Sequence, residues 1–192
     1  AFRLDRADSL LAETLERDRG FGPASFWLAQ VRAWRLGIAG VEDWLPWAER
    51  AAAGSSLSAG ERQLAAGLVA MGRRNFATAC ATYRTMIAAN PRSFEAWYGL
   101  AQCQDWDRAV IPDRRTSSGW RFRSSFHQAV RAYTRAFELA PLAHRTFEPQ
   151  AFSQLRFLLY AGRALTRYGS ALAPDTARFM AYPSWAGDSI VF

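Results

Sequence analysis

Arg19–Trp34, RGFGPASFWLAQVRAW, returns 72 positions later as Pro91–Trp106, PRSFEAWYGLAQCQDW. Leu28, Ala29 and Gln30 fall on Leu100, Ala101 and Gln102, Trp34 falls on Trp106, and Ala24 falls on Ala96. Upstream, Ala7 falls on Ala79 and Leu11 on Tyr83. The shift is close to two units of about 34 residues, and self-similarity at that period marks an array of helix pairs.

A second comparison covers the helix ends. Ala79, Tyr83, Met86 and Pro91 are spaced as Ala129, Tyr133, Ala136 and Pro141. The offset of 50 corresponds to one unit of about 34 residues with an insertion of about 16. Small residues at these places let two helices approach closely. Aromatics fill the groove between one hairpin and the next, and a proline, lacking an N–H, stops the second helix. One such pair cannot bury its apolar face alone, so neighbours must stack. The competing reading is an ordinary helical bundle with coincidental spacing.

The motif resembles the tetratricopeptide (TPR) repeat. The resembling residues are Leu57–Gln63 (LSAGERQ), Phe76–Pro91 and Phe94–Gln102, then a variable loop before Phe126–Pro141 (FHQAVRAYTRAFELAP). They are similar to TPR regions of large bacterial regulatory proteins, such as serine/threonine kinases and transcriptional or cyclase-linked sensors. The resemblance implies an all-α superhelical stack of antiparallel helix pairs and a scaffold or sensor role, with no partner named. It covers roughly Leu4–Pro141. Arg19 stands where the first unit would carry its proline, and Gln63 stands where the next unit has Trp97, so the repeats are degenerate.

Apolar spacing and punctuation predict helices over Asp5–Arg17, Ala24–Leu36 (ended by Gly37 and Gly40) and Trp44–Ala53, with Pro46 interrupting or reopening the last. Ser58 and Glu61 form a capping box that opens a helix to about Met71, with Gly72 as its stop. Phe76–Ala89, Phe94–Gln104, Ser125–Leu139 and Thr146 to about Tyr168 follow. The repeat domain is expected over 1–168, followed by an irregular tail over 169–192 in which Gly169, Pro174, Pro183 and Gly187 break helices. The first helix reads as the second half of a unit, so the domain is expected to continue upstream. The apolar Ile190-Val191-Phe192 ending is expected to continue, to meet a partner or to lie over the last helices.

The chain has 192 residues, 50% of them hydrophobic, which supports a packed core and argues against wholesale disorder. No stretch has the length and apolarity of a membrane span and no signal peptide is visible, although the sequence begins at Ala1. A soluble domain is expected, placed at a membrane surface if its complex is there. The net charge is +7 with a pI near 10.2, and Lys is absent, so every basic charge is Arg. That balance suits an acidic protein, an anionic membrane or nucleic acid. It is equally what a GC-rich coding sequence leaves as scattered, solvated charge. Cys80 and Cys103 lie in no CxxC pair; small buried core residues are expected, with a disulfide as the alternative in an oxidising compartment.

The most unusual segment is the inserted loop at about 107–124, DRAVIPDRRTSSGWRFRS. Arg108, Arg114, Arg115, Arg121 and Arg123 interleave there with Trp120 and Phe122, a composition that binds carboxylates, phosphates or stacked rings. The plainer reading is a solvated loop anchored by Trp120. Of the eight tryptophans, Trp27, Trp34, Trp44, Trp47, Trp97 and Trp106 lie on expected helices or their ends, and most of these read as inter-repeat core. Trp44, Trp47 and Trp185 join the candidate partner-binding residues, since Trp and Arg are enriched at interface hot spots.

The sequence contains no HExxH, GxSxG, Walker or GxGxxG signature, and no His or Cys spacing for a metal. His127 reads as solvated on a helix's outer face. The sequence therefore predicts no catalytic, cofactor or metal site. It predicts a protein-interaction scaffold whose partner presents an acidic surface, in a complex that includes membrane-bound assemblies. The alternatives are a basic solenoid on nucleic acid and a small-molecule-sensing domain.

Overall fold

The computed structural model describes residues 3–116 and 119–140. Seven α-helices and one short hairpin occupy them: α1 Leu4–Arg17, α2 Gly22–Leu36, α3 Val41–Ala53, α4 Ala59–Gly72, α5 Phe76–Ala89, α6 Phe94–Trp106, β1 Val110–Pro112, β2 Trp120–Phe122 and α7 Phe126–Leu139. A 3-10 turn, Gly37–Gly40, joins α2 to α3. The fold is thus mostly helical, as the periodicity requires. The expected helix over Thr146 to Tyr168 and the tail over 169–192 lie outside the described residues.

Side-chain caps set the helix starts. Ser58 Oγ accepts from Glu61 N at 3.2 Å, and Ser58 N donates to Glu61 Oε2 at 3.0 Å, completing the capping box. Hydrogen bonding from Ser58 holds the Glu61 carboxyl below its usual range. Asn75, Ser93 and Ser125 cap α5, α6 and α7 in the same way.

The start of α3 differs from the pattern reading, and Gly72 has a use beyond it. α3 starts at Val41, with Glu42 and Asp43 in its first turn, and carries Pro46 inside it. α4 ends at Gly72, as expected, but Gly72 is not its left-handed residue. The left-handed residue is Arg74, at φ 59°, where Asn75 N donates back to Ala70 O at 2.8 Å. Gly72 serves packing: a Cβ there would sit 2.6 Å from Leu45 Cδ1 and 3.0 Å from the Trp44 ring.

Each helix packs on the helices before and after it in the chain, and beyond these α2 touches α4 and α4 touches α6. Five of the seven pairs matched across 72 positions share one fate, while Ala7 and Leu11 are half-buried where Ala79 and Tyr83 are buried. Ala24, Leu28, Ala29, Gln30 and Trp34 are buried, as are Ala96, Leu100, Ala101, Gln102 and Trp106. The helix-end series behaves likewise: Ala79, Tyr83 and Met86 are buried, as are Ala129, Tyr133 and Ala136.

Aromatics wedge between successive helices. The Tyr83 ring of α5 lies against Gly67 of α4 and Gly99 of α6, where only a missing side chain leaves it room. Desolvation raises its phenol well above the usual tyrosine value. Further along, Tyr98 meets Tyr133 edge-on at 5.3 Å and Trp34 meets Phe94 at 6.0 Å.

Cys80 of α5 and Cys103 of α6 form a disulfide, with their Cα atoms 5.6 Å apart. The two residues are therefore not merely small core fillers. The repeat brings positions separated by 23 residues face to face and the covalent bond joins consecutive helices.

Candidate functional site

The insertion is not an irregular loop. Val110, Ile111 and Pro112 pair antiparallel with Phe122, Arg121 and Trp120. At the tip, Asp113 N donates to Gly119 O at 2.8 Å, and Gly119 takes φ 76°, a left-handed value that favours glycine. Thr116 Oγ1 reaches both Asp113 O and Trp120 O at 2.9 Å.

Two carboxylates organise the arginines around this frame. Asp113 accepts from Arg115 Nε and Nη2 at 3.1 Å and from Arg121 Nε at 3.0 Å. The Arg115 hydrogen bonds, reinforced by the charge of Arg121, hold the Asp113 carboxyl down at about 2. Asp107, at the end of α6, is buried. It accepts from Arg123 Nε at 2.8 Å, Arg123 Nη2 at 2.7 Å and Ser124 Oγ at 2.6 Å. Gln104, one turn earlier, accepts from Ser125 N at 2.6 Å. The last turn of α6 thereby fixes both the outgoing strand and the start of α7.

A second carboxylate on the same turn, Asp105, points into the core. It is 1% exposed, and Tyr133 Oη donates to it at 3.4 Å. Desolvation raises its carboxyl to about 6, opposed by the charge of Arg108 and the Tyr133 hydrogen bond.

Between α5, the end of α6, β2 and α7 lies a cleft of about 390 Å³. Arg84, Arg121, Arg123, Ser125 and Gln128 line it, with Phe76 on its apolar side. Arg84 Nη2 donates to Gln128 Oε1 at 3.4 Å across the opening. No protein-family model matches the chain, and no curated protein matches it. The site therefore rests on its own geometry.

The structure brings together only part of the expected set. Arg121 and Arg123 line the cleft, while Arg108, Arg114 and Arg115 are exposed around the hairpin and Trp120 is half-buried. Phe122 is 1% exposed and Trp44 is fully buried, donating from Nε1 to Gly37 O at 3.0 Å. Neither can meet a partner, because both are core. Trp47 is half-buried under the Arg50 guanidinium, 4.9 Å from its ring centroid. It borders a separate cleft of about 360 Å³ with Arg19 and Arg32. Trp185 lies outside the described residues.

Sequence reasoning missed Arg84 and Gln128. They lie 44 positions apart and meet only because α5 and α7 flank the same end of α6. Among the described residues, no group of three His, Cys, Asp or Glu side chains is placed to hold a metal. No helix there is long and apolar enough to cross a membrane.

Proposed function

We propose that this chain is a TPR-like array of stacked helix pairs acting as a non-catalytic scaffold for other polypeptides, as a subunit of a larger complex. The packing of each helix on its sequence neighbours, with α2, α4 and α6 also in contact along the array, carries this reading. Such an array leaves long helix faces available to a partner while its greasy sides are hidden between units. The equal burial of the five pairs from Ala24 and Ala96 to Trp34 and Trp106 supports repeating units over a bundle around one centre. The structured, arginine-bearing hairpin supports an acidic partner, because it presents guanidinium forks on a rigid frame.

The test is site-directed photo-crosslinking from exposed position 114 in extracts of the source organism, with the cross-linked sites mapped by mass spectrometry. A defined polypeptide captured reproducibly is the expected result. Recovery of nucleic acid alone, or of no polypeptide, would overturn the scaffold reading.

A further inference from the structure

The cleft beside the hairpin holds more positive charge than its own carboxylates can answer. Arg84, Arg121 and Arg123 line the cleft, and Arg115, in the turn of the hairpin, shares Asp113 with Arg121. Two carboxylates face them. Asp107 is taken up by Arg123 and Ser124, and Asp113 is divided between Arg115 and Arg121. Arg84 meets a neutral acceptor, Gln128 Oε1, and among the described residues it has no carboxylate within ion-pair distance.

The first turn of α7 adds to the imbalance. Ser125 and Gln128 belong to that turn and line the cleft, so the positive end of a 14-residue helix closes one side. The lining also has an apolar part, the exposed Ala77 with the buried Phe76 beneath it. Arg84 is exposed, and Arg121, 37% exposed and held by Asp113 through Nε and by the Phe122 carbonyl through Nη1, keeps Nη2 for an incoming group.

We propose that this cleft is a docking site for an acidic peptide segment, whose Asp or Glu carboxylates are gripped by Arg84 and Arg121. Arg123, held in place by Asp107, forms the fixed wall. The proposal deepens the reading of the chain as a polypeptide-binding scaffold and rests on it. Charge complementarity selects the ligand's sign. The lining suits a peptide: a half-open cleft with Ala77 exposed beside the cations, over the buried Phe76, accommodates the methylenes of a glutamate side chain. A nucleic-acid backbone instead asks for cations aligned along an open face.

The experiment is fluorescence anisotropy on the whole chain with a labelled glutamate-rich peptide. A glutamine-matched peptide, single-stranded DNA and phosphatidylserine vesicles serve as parallel probes. The expected result is binding of the glutamate peptide alone, weakened by salt. Arg84→Gln and Arg121→Gln should each weaken it about tenfold, the loss of one charge-assisted contact. Gln128→Glu, which sets a carboxylate against Arg84, should do the same. Arg17→Gln should change nothing, because Arg17 pairs with Glu13 far away on α1. Circular dichroism of each variant checks that the helices remain.

Wild-type affinity in the folded Arg84 and Arg121 variants overturns the proposal, as does binding of DNA or vesicles in place of the peptide. If crosslinking still captures a polypeptide while those variants bind the glutamate peptide normally, the scaffold stands and the cleft assignment falls. If no polypeptide is captured at all, both fall.

Discussion

Replacing Asp105 by Asn should stabilise the protein at neutral pH and destabilise it in acid. Asp105 is 1% exposed, so little solvent screens its charge. Its carboxyl lies at about 6 in the folded chain against an ordinary 3.8. The folded state therefore holds this proton more tightly than the unfolded one, and wild-type stability falls as pH rises from about 4 to beyond 6. Carrying the ionised group at pH 7 or above costs about 3 kcal/mol. Three groups act on this site: Arg108 pulls the value down by charge, Tyr133 by its hydrogen bond, and Tyr98 feels the charge in return. Asn keeps an oxygen that can accept from Tyr133 but brings a buried amide N–H₂, at a cost of about 1 kcal/mol. The expected net gain is about 2 kcal/mol at pH 7.5, becoming a loss of about 1 kcal/mol below about pH 4. Urea denaturation of both proteins across this range, followed by tryptophan fluorescence, measures the difference; other carboxylates titrate alike in both and cancel. A difference that stays flat between pH 4 and pH 7.5 would refute the burial argument.

Gly67→Ala should lower stability by about 1 kcal/mol, because overpacking outweighs the helix-propensity gain. The new Cβ would lie 2.8 Å from Tyr83 Cζ and 3.0 Å from its Oη. Gly60→Ala, with nothing within 4 Å, should be neutral or stabilising, and equal urea midpoints for the two variants would count against the wedge. Replacing both Cys80 and Cys103 with Ala should cost about 3 kcal/mol, as expected for opening a loop of 23 residues. Reductant should lower the wild-type midpoint and leave the double variant's unchanged; a wild type indifferent to reductant would refute the cross-link's contribution.

The repeat was legible because its rule is local and recurs. A small residue at Ala79 or Ala129 and a ring at Tyr83 or Tyr133 do the same work wherever a helix meets its neighbour. Capping chemistry was legible for the same reason: Ser58 and Glu61 satisfy each other within one turn. Gly72 does mark the end of α4, but its packing role was not legible, because a glycine near a helix end has two uses. Only the position of Trp44 and Leu45 on the adjoining helix tells close approach from termination. Trp44 itself looked available beside Pro46, yet α3 begins three residues earlier and turns that ring inward.

The site was harder to read because its properties are differences between charges, and charge pairing is tertiary. Phe122 and Trp120 share one face of β2 with Arg121 between them, a period-two signal hidden in a segment otherwise rich in Arg, Ser and Pro. The insertion reads from sequence as a dense positive loop. Folding then matches Arg123 to Asp107, and Arg115 and Arg121 to Asp113, so most of that charge builds the hairpin. What stays available to a partner is the remainder, and Arg84 supplies much of it from a helix whose sequence gives no sign of the site. A count of arginines in the insertion therefore overstates the charge offered there and misses the residue on α5. This is why the decisive substitution in the cleft is Arg84, outside the segment that first drew notice.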